Sequence, residues 1–478
     1  MNRVVIKQNG NDTVIYAENG EKLSDLLMRN GTSAVHPCSG NGKCGKCTVL
    51  VDGERCLSCR YIIMNDIEVV IDNEEKILTS EKQAESLNNS DPVCLALDIG
   101  TTTIELALLS EEKKYMIDRI TALNPQKAFG ADVVSRIEYC RKNGVKELHH
   151  SIVSCVNTMI SQLLDRFGLK NVGRLYVAAN TAMLHMFFGV DCAAMGVSPY
   201  TPQFLDGKKE SACNIGLLRV NDVISLPCIS AFVGADIVAG LNFAGMPEKG
   251  KYNILVDLGT NAEVVLYSTD GVICTSAAAG PCFEGANIAC GMGAVNGAIC
   301  AYNYGEKSIT IGKTAPKGIC ATGLVSIIAE LLKNGIIDET GFMYEEKFHV
   351  ADGVYLTRED IRNFQLAKSA VYSAVVTLMK KKGITFRDVD KFFVSGGISS
   401  ALNVSAAVST GLLPAEAFDK YQYNIVDNTS LAGTVKYILE NNDLSVYTDN
   451  AVYEDLASDN VFTEFFIKNM IFSFFEEI

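Results

Sequence analysis

One short pattern occurs twice in this chain and limits what the rest of it can become. An apolar run ends in Asp-x-Gly-Thr at Cys94-Leu-Ala-Leu-Asp98-Ile-Gly100-Thr101-Thr102, and again at Ile254-Leu-Val-Asp257-Leu-Gly259-Thr260-Asn261. A second apolar run follows each copy, at 104–109 and at 264–267. Strand, tight polar turn and strand make a hairpin. The same hairpin repeated roughly 160 residues later marks a duplicated lobe of ordinary domain size. From residue 93 onward, strand-like runs alternate with helical periodicity, so both lobes read as α/β. Helices are expected at 131–142, at 151–167, from a Thr357 cap to residue 382, and at 428–440.

The turn chemistry suits phosphate. Glycine lets backbone N–H groups close around phosphate oxygens, threonine hydroxyls add donors, and an aspartate at the strand end holds Mg²⁺ through the waters that this ion keeps. Asp98 and Asp257 are therefore expected to hold Mg²⁺. Gly100, Thr101, Thr102, Gly259, Thr260 and Asn261 are expected to hold phosphate, with the two hairpins facing across a cleft. A single Asp-x-Gly-Thr is commonly only a turn, whereas two at strand ends in matching order are a constellation. A Gly-x4-Gly-Lys-Ser/Thr loop does not occur, so the Walker type of phosphate site is excluded.

Residues 1–75 have a different character. Segments 4–7 and 14–17 alternate like strands, with Asn9-Gly10 between them as a hairpin turn. Leu23, Leu26 and Leu27 recur at helical spacing up to Asn30-Gly31, and 48–51 and 68–71 read as further strands with a turn at Asp52-Gly53. Between helix and strand sits Cys38-x5-Cys44-x2-Cys47, followed by Cys56-x2-Cys59, with Gly40, Gly42 and Gly45 in the loop. A 2Fe–2S cluster needs four thiolates, and glycines let such a loop wrap it. The paired Cys44-x2-Cys47 and Cys56-x2-Cys59 also suit tetrahedral zinc, but that leaves Cys38 and the glycines without a role.

The cysteine loop resembles that of 2Fe–2S ferredoxins, in the subtype with five residues in the first gap. That resemblance implies Cys38, Cys44, Cys47 and Cys59 as ligands, since the fourth ligand of the family lies in a Leu-x-Cys segment matching Leu57-Ser58-Cys59. The gap from Cys47 to Cys59 is shorter than usual, which leaves Cys56 as the alternative. The later part resembles the superfamily of actin, sugar kinases and heat-shock chaperone ATPases. Its adenosine loop corresponds to Val394-Ser395-Gly396-Gly397, with a helix expected over 399–410, and its linking helices correspond to Gly234-Ala-Asp236-Ile-Val-Ala-Gly240 and Ala321-Thr-Gly-Leu. The fold class implied is an α+β ferredoxin-like β-grasp domain followed by an α/β two-lobed, duplicated actin-like ATPase domain of ribonuclease H-like type. The expected boundaries are 1–75 for the ferredoxin-like domain, 76–92 for a polar linker, and 93–478 for the ATPase domain. Within the latter, lobe I spans 93–245, lobe II 246–440, and 441–478 packs back.

The combination is similar to the reductive activators of corrinoid proteins in anaerobic methyl-transfer systems. The quoted signatures are Asn124-Pro-Gln-Lys-Ala-Phe-Gly130-Ala-Asp132, Ala179-Asn180-Thr-Ala-Met-Leu-His185 and Ala279-Gly280-Pro281-Cys-Phe-Glu284-Gly285. Members of that family often carry a middle domain before the first hairpin, whereas here the linker leads directly to Asp98. The resemblance implies ATP, Mg²⁺ and a 2Fe–2S cluster as cofactors, and a one-electron return of Co(II) cobalamin to Co(I) on a corrinoid protein partner. It also implies an upstream low-potential electron donor. Asp236 is the expected positioner of the attacking water, and Asp132 and Asn180 are expected to face the cleft. His185, beside Met186 and Phe187, reads as a packing residue, and Glu284 as a catalytic or capping acid.

A net charge of −14 argues against nucleic acid and anionic membrane as partners. No apolar leader opens the chain and no uncharged run is long enough to span a bilayer. The eleven cysteines from Cys94 to Cys320 are scattered among small and apolar residues. They read as reduced thiols, so a cytoplasmic location is expected. A homodimer is carried alongside a monomer, with nothing in the sequence to choose. The competing functions are an activator of radical acyl-CoA dehydratases, a redox-sensing nucleotide-binding regulator and a small-molecule kinase.

Overall fold

The computed structural model describes residues 1–8, 11–30, 47–71, 92–417 and 423–472. The Asn9-Gly10 turn, the glycine loop with Cys38 and Cys44, and nearly all of the 76–92 linker lie outside these residues. Contacts divide the chain into one unit of residues 1–236 with 434–441, and another of residues 237–433 with 442–472 of the described chain.

At the N-terminus, strands β1 (Asn2–Gln8), β2 (Asn11–Ala17), β3 (Thr48–Val51), β4 (Glu54–Leu57) and β5 (Ile67–Ile71) form a sheet in the order β2-β1-β5-β3-β4. The β1–β5 pair is parallel and its neighbours are antiparallel, the mixed arrangement of a β-grasp. Alternation sends Val4, Ile6, Val49, Val51, Ile67 and Val69 to one face, where Leu23, Leu26 and Leu27 of helix α1 (Leu23–Arg29) cover them. The β3–β4 turn places Asp52 and Gly53 at φ 50° and 87°, the left-handed pair that two-residue hairpins need. Strand β4, which carries Cys56, was not read from the sequence.

The rest of the first unit is built on a six-stranded sheet in the order β10-β11-β9-β6-β7-β8, from β6 (Val93–Ile99), β7 (Thr103–Ser110), β8 (Tyr115–Leu123), β9 (Val172–Ala179), β10 (Lys209–Ser211) and β11 (Val220–Ser225). Helix α2 (Val133–Asn143) starts at a capping box between Asp132 and Ser135. Helix α3 (Lys146–Arg166) begins earlier than the 151 expected from its periodicity, and its Leu148 and Ile152 are fully buried. Asn180 caps α4 (Thr181–Phe187), and Tyr437, from the segment that returns to this unit, packs edge-on against Tyr176 at 6.0 Å.

In the second unit, β12 (Tyr252–Leu258), β13 (Ala262–Ser268), β14 (Gly271–Ala277), β15 (Val389–Ser395), β16 (Asn424–Ile425) and β17 (Ala451–Tyr453) align in the order β16-β15-β12-β13-β14-β17. Five positions repeat the first unit: a meander of three antiparallel strands, then two strands added in parallel on the side of the first. The duplication is therefore one of topology as well as of sequence. Thr357 and Asp360 form the expected capping box of the long helix Arg358–Lys382, which Gly383 ends at φ 65°. The helix expected over 399–410 is broken into a turn at Ser399–Ala401 and a helix at Val404–Ser409, because Asn403 caps the latter by accepting from the Ala406 N–H at 3.1 Å. The C-terminal helix Asn460–Lys468 lays Phe462 and Phe466 on this unit's core.

Candidate functional site

In the ferredoxin-like domain the structure brings two of the predicted ligands together. The sulfurs of Cys47 and Cys59 lie 3.1 Å apart, both nearly fully buried, and no disulfide joins them. Ser58 ties this corner by donating its N–H to the Cys47 carbonyl at 2.9 Å. Two buried, unlinked sulfurs at that separation are within reach of one metal ion, and thiolate is the ligand that iron–sulfur clusters use, so the pair fits the implied cluster. Cys56 stands opposite Val49 in the β3–β4 ladder and packs against the domain core. Burial, then the neighbouring Cys47, raises its thiol pKa. Among the described residues no third Cys, His or carboxylate joins the pair; Cys38 and Cys44 lie outside them.

The first hairpin is β6–β7. Asp98, 8% exposed, is the penultimate residue of β6, and the register sets it directly opposite Glu105. Paired residues project to the same face, so two carboxylates share one side of the hairpin, with Arg119 reaching Glu105 at 3.6 Å from β8. Gly100, Thr101 and Thr102 form the turn. A Cβ on Gly100 would sit 2.8 Å from the Thr103 carbonyl oxygen, so this close approach needs glycine.

The second hairpin, β12–β13, repeats the pairing: Asp257 faces Glu263, which accepts from the Ser276 hydroxyl at 2.9 Å. Protein atoms crowd the Asp257 carboxyl, and this burial pushes its pKa up to about 6 against the pull of a Ser395 hydrogen bond. A divalent cation would favour the carboxylate. The turn residues Gly259, Thr260 and Asn261 close on themselves through a Gly259 N–H to Asn261 carbonyl bond of 3.0 Å. Among the described residues the buried Thr260 hydroxyl has no hydrogen-bond partner. A buried polar atom with no partner is costly, and an incoming phosphate oxygen would satisfy it. Gly396 and Gly397 follow β15, and Ser395 pairs with Asp257 across the sheet. Gly396 has φ 102° and its backbone lies against that of Leu258, so the expected adenosine loop abuts the end of β12.

The remaining predicted residues lie on helices or at their N-termini. Asp236 is half-buried in the first turn of the helix Ala235–Ala244. It lies near Cys228, whose thiol burial pushes up to about 12 with a smaller contribution from this carboxylate. Asp132 and Asn180 spend their side chains on helix caps. His185 is fully buried: Nδ1 donates to the Thr181 carbonyl at 2.7 Å, Nε2 accepts from the Gln203 N–H at 3.0 Å, and the ring stacks on Phe204 at 4.1 Å. Burial lowers its pKa, so it is a neutral packing residue. Glu105 and Glu263 had no part in the sequence reading; an acid six or seven residues beyond each repeated aspartate was the signal available.

Comparison with known proteins gives a consistent result. Residues 251–476 match a family model described as the C-terminal, ASKHA domain of RACo. Residues 93–249 match one described as the RACo middle region, and residues 6–77 one described as a 2Fe-2S iron-sulfur cluster binding domain. The middle region is thus the stretch that bears the first hairpin. The corrinoid activation enzyme RamQ of Eubacterium limosum is 28% identical over 424 residues, 79% of this chain and 70% of its own length. The [Co(II) methylated amine-specific corrinoid protein] reductase of Methanosarcina barkeri is 26% identical over 386 residues, covering 72% and 70%. A solved structure titled "Reductive activator for corrinoid,iron-sulfur protein" superposes with a TM-score of 0.71 over 98% of each chain at 23% identity, which shows the fold. No helix among the described residues is long and apolar enough to cross a membrane.

Proposed function

Because this chain belongs to the reductive activators of corrinoid proteins, we propose that it returns a Co(II) corrinoid on a partner protein to Co(I) in an ATP-dependent reaction. The observation that carries this is the presence, in one polypeptide, of a buried thiol pair suited to iron and an Asp-x-Gly-Thr hairpin built twice. Cys38, Cys44, Cys47 and Cys59 would hold a 2Fe–2S cluster, which when bound supplies a low-potential one-electron carrier. The packing of Cys56 into the core supports Cys59 as the fourth ligand.

The remaining roles belong to the chain's own groups. Gly100, Thr101 and Thr102 in one turn, and Gly259, Thr260 and Asn261 in the other, take phosphate oxygens through N–H and hydroxyl donors. Asp98 and Asp257 hold Mg²⁺ through its water shell, and Gly396 and Gly397 leave room for adenosine. Asp236 orients the attacking water, so that positioning and preorganised charge do most of the catalysis. Hydrolysis drives an uphill electron transfer by favouring one conformation of the chain over another. The partners are a corrinoid protein of a methyltransferase system and a low-potential reductant.

The test is anaerobic cobalt spectroscopy with reductant, Mg-ATP and a Co(II) corrinoid protein. A Co(I) band that appears only with ATP is expected, and Asp98→Asn and Asp257→Asn should each slow its appearance about 100-fold or more. A band that forms equally well without ATP, or never forms with any corrinoid partner, refutes the reading.

A further inference from the structure

We propose that Ser395, held in place by Thr429, is a positioning residue for Asp257: its hydroxyl fixes the orientation of the carboxylate that is to hold the divalent cation. This deepens the reading above, in which Asp257 holds Mg²⁺, and rests on it.

The three residues lie on three elements of one unit. Asp257 is the penultimate residue of β12, Ser395 ends β15, and Thr429 opens the helix Thr429–Glu440. The register pairs Asp257 with Ser395, so their side chains share one face of the sheet. The Ser395 hydroxyl hydrogen-bonds the Asp257 carboxyl, and its oxygen lies 2.7 Å from that of the Thr429 hydroxyl. Ser395 and Thr429 are each 1% exposed, so bulk water does not compete for these bonds.

Counting protons sets the direction. A hydroxyl has one proton to give. A carboxylate that holds a cation is ionised and only accepts. The Ser395 proton therefore goes to Asp257, and the Thr429 hydroxyl donates to Ser395. The Thr429 N–H donates to the same oxygen at 3.4 Å. Thr429 is confined from behind as well, since a Cβ on Gly240 would come 3.0 Å from its Oγ1. Donors that converge on an oxygen strengthen the bond it gives in turn. Ser395 thus delivers one directed bond that fixes the rotation of the carboxylate, the task of a group placed behind a metal-holding side chain.

The adenosine side is supported separately. The Ser399 N–H donates to the Gly396 carbonyl at 3.0 Å, and the Gly396 backbone lies against that of Leu258. Neither contact uses the Ser395 hydroxyl. Its loss should therefore weaken the cation and spare adenosine.

The full-length protein at saturating ADP is titrated with Mn²⁺, a paramagnetic stand-in for Mg²⁺ read by electron paramagnetic resonance. Adenosine is titrated separately without metal. Ser395→Ala should weaken Mn²⁺ binding about 10-fold or more and leave adenosine affinity unchanged. Thr429→Val, nearly the same shape without the hydroxyl, should weaken Mn²⁺ less, about 3-fold, and Thr429→Ser should restore what Thr429→Val loses. The two Thr429 variants decide the matter if Ser395→Ala does not fold. A Ser395→Ala protein that binds Mn²⁺ as the wild type does, or that loses Mn²⁺ and adenosine affinity by one common factor, overturns the proposal while leaving the nucleotide reading intact. A Thr429→Val protein with unchanged Mn²⁺ affinity does the same. A wild-type chain that binds no ADP overturns both.

Discussion

The two units carry the same hairpin and support it differently. In the first, the buried guanidinium of Arg136 and the amide of Asn124 hold the turn by its carbonyls. In the second, the contact is backbone on backbone: a Cβ on Gly396 would sit 2.2 Å from the Leu258 carbonyl oxygen, and Gly396 already has φ 102°. The second unit also buries a cation, Lys368, but its Nζ donates to the Ile471 carbonyl and lies 5.0 Å from the Phe472 ring, so it secures the C-terminal segment. Arginine keeps its charge where it is buried, whereas burial pushes the Lys368 pKa down to about 7. A duplicated framework thus preserves strand order and the Asp–Glu pairing while the support behind each turn diverges.

The largest expected effect breaks the backbone contact of the second hairpin. Gly396→Ala forces a side chain onto Leu258 at a backbone angle that L-residues avoid, and should cost about 3 kcal/mol or more of stability. Gly397→Ala meets nothing within 4 Å among the described residues and should be nearly neutral. Denaturant unfolding of the two variants decides between them. Equal costs would mean that the support for this turn lies elsewhere.

The next effect separates the two buried cations by pH. An unfolded lysine stays charged to about pH 10, while folded Lys368 loses its proton near 7. Below pH 7 the folded state bears the full cost of a buried charge, and that cost is relieved as pH rises from about 7 to 10. Lys368→Met removes this slope and also leaves the Ile471 carbonyl without its donor. The stability difference between wild type and variant should therefore move in favour of wild type by about 2–4 kcal/mol from pH 7 to 10. A difference that stays constant across that range would show that Lys368 remains charged.

Much of this was legible because it is local. The repeated Asp-x-Gly-Thr, the Thr357–Asp360 capping box and the strand alternation of the first domain each depend on neighbours a few residues away. What was not legible depends on register and tertiary approach. Glu105 and Glu263 gain meaning only when pairing sets them opposite Asp98 and Asp257. Arg136 lies in Val-Val-Ser-Arg-Ile-Glu-Tyr, which reads as an ordinary amphipathic turn of helix. Its burial follows from carbonyls contributed by Thr101 and Gly130. The packing role of His185 is legible for a local reason, since an apolar helix beside Met186 and Phe187 leaves an imidazole little access to water.

The smallest effect compares the same glycine in the two copies. Gly100 and Gly259 occupy equivalent places after their aspartates, but a Cβ on Gly100 would come within 2.8 Å of the Thr103 carbonyl oxygen, whereas one on Gly259 would meet the Asn261 carbonyl at 3.4 Å, ordinary contact. The Gly100 turn also cannot relax easily, because the Gly100 carbonyl is held by Asn124 and the next by Arg136. Gly100→Ala should therefore cost about 1–2 kcal/mol and Gly259→Ala less than about 0.5 kcal/mol. Thermal unfolding of the unliganded protein measures both without reference to any ligand. If the two substitutions cost the same, the carbonyl anchors behind the first turn are not rigid, and the divergence between the two supports is one of residue type without a difference in stiffness.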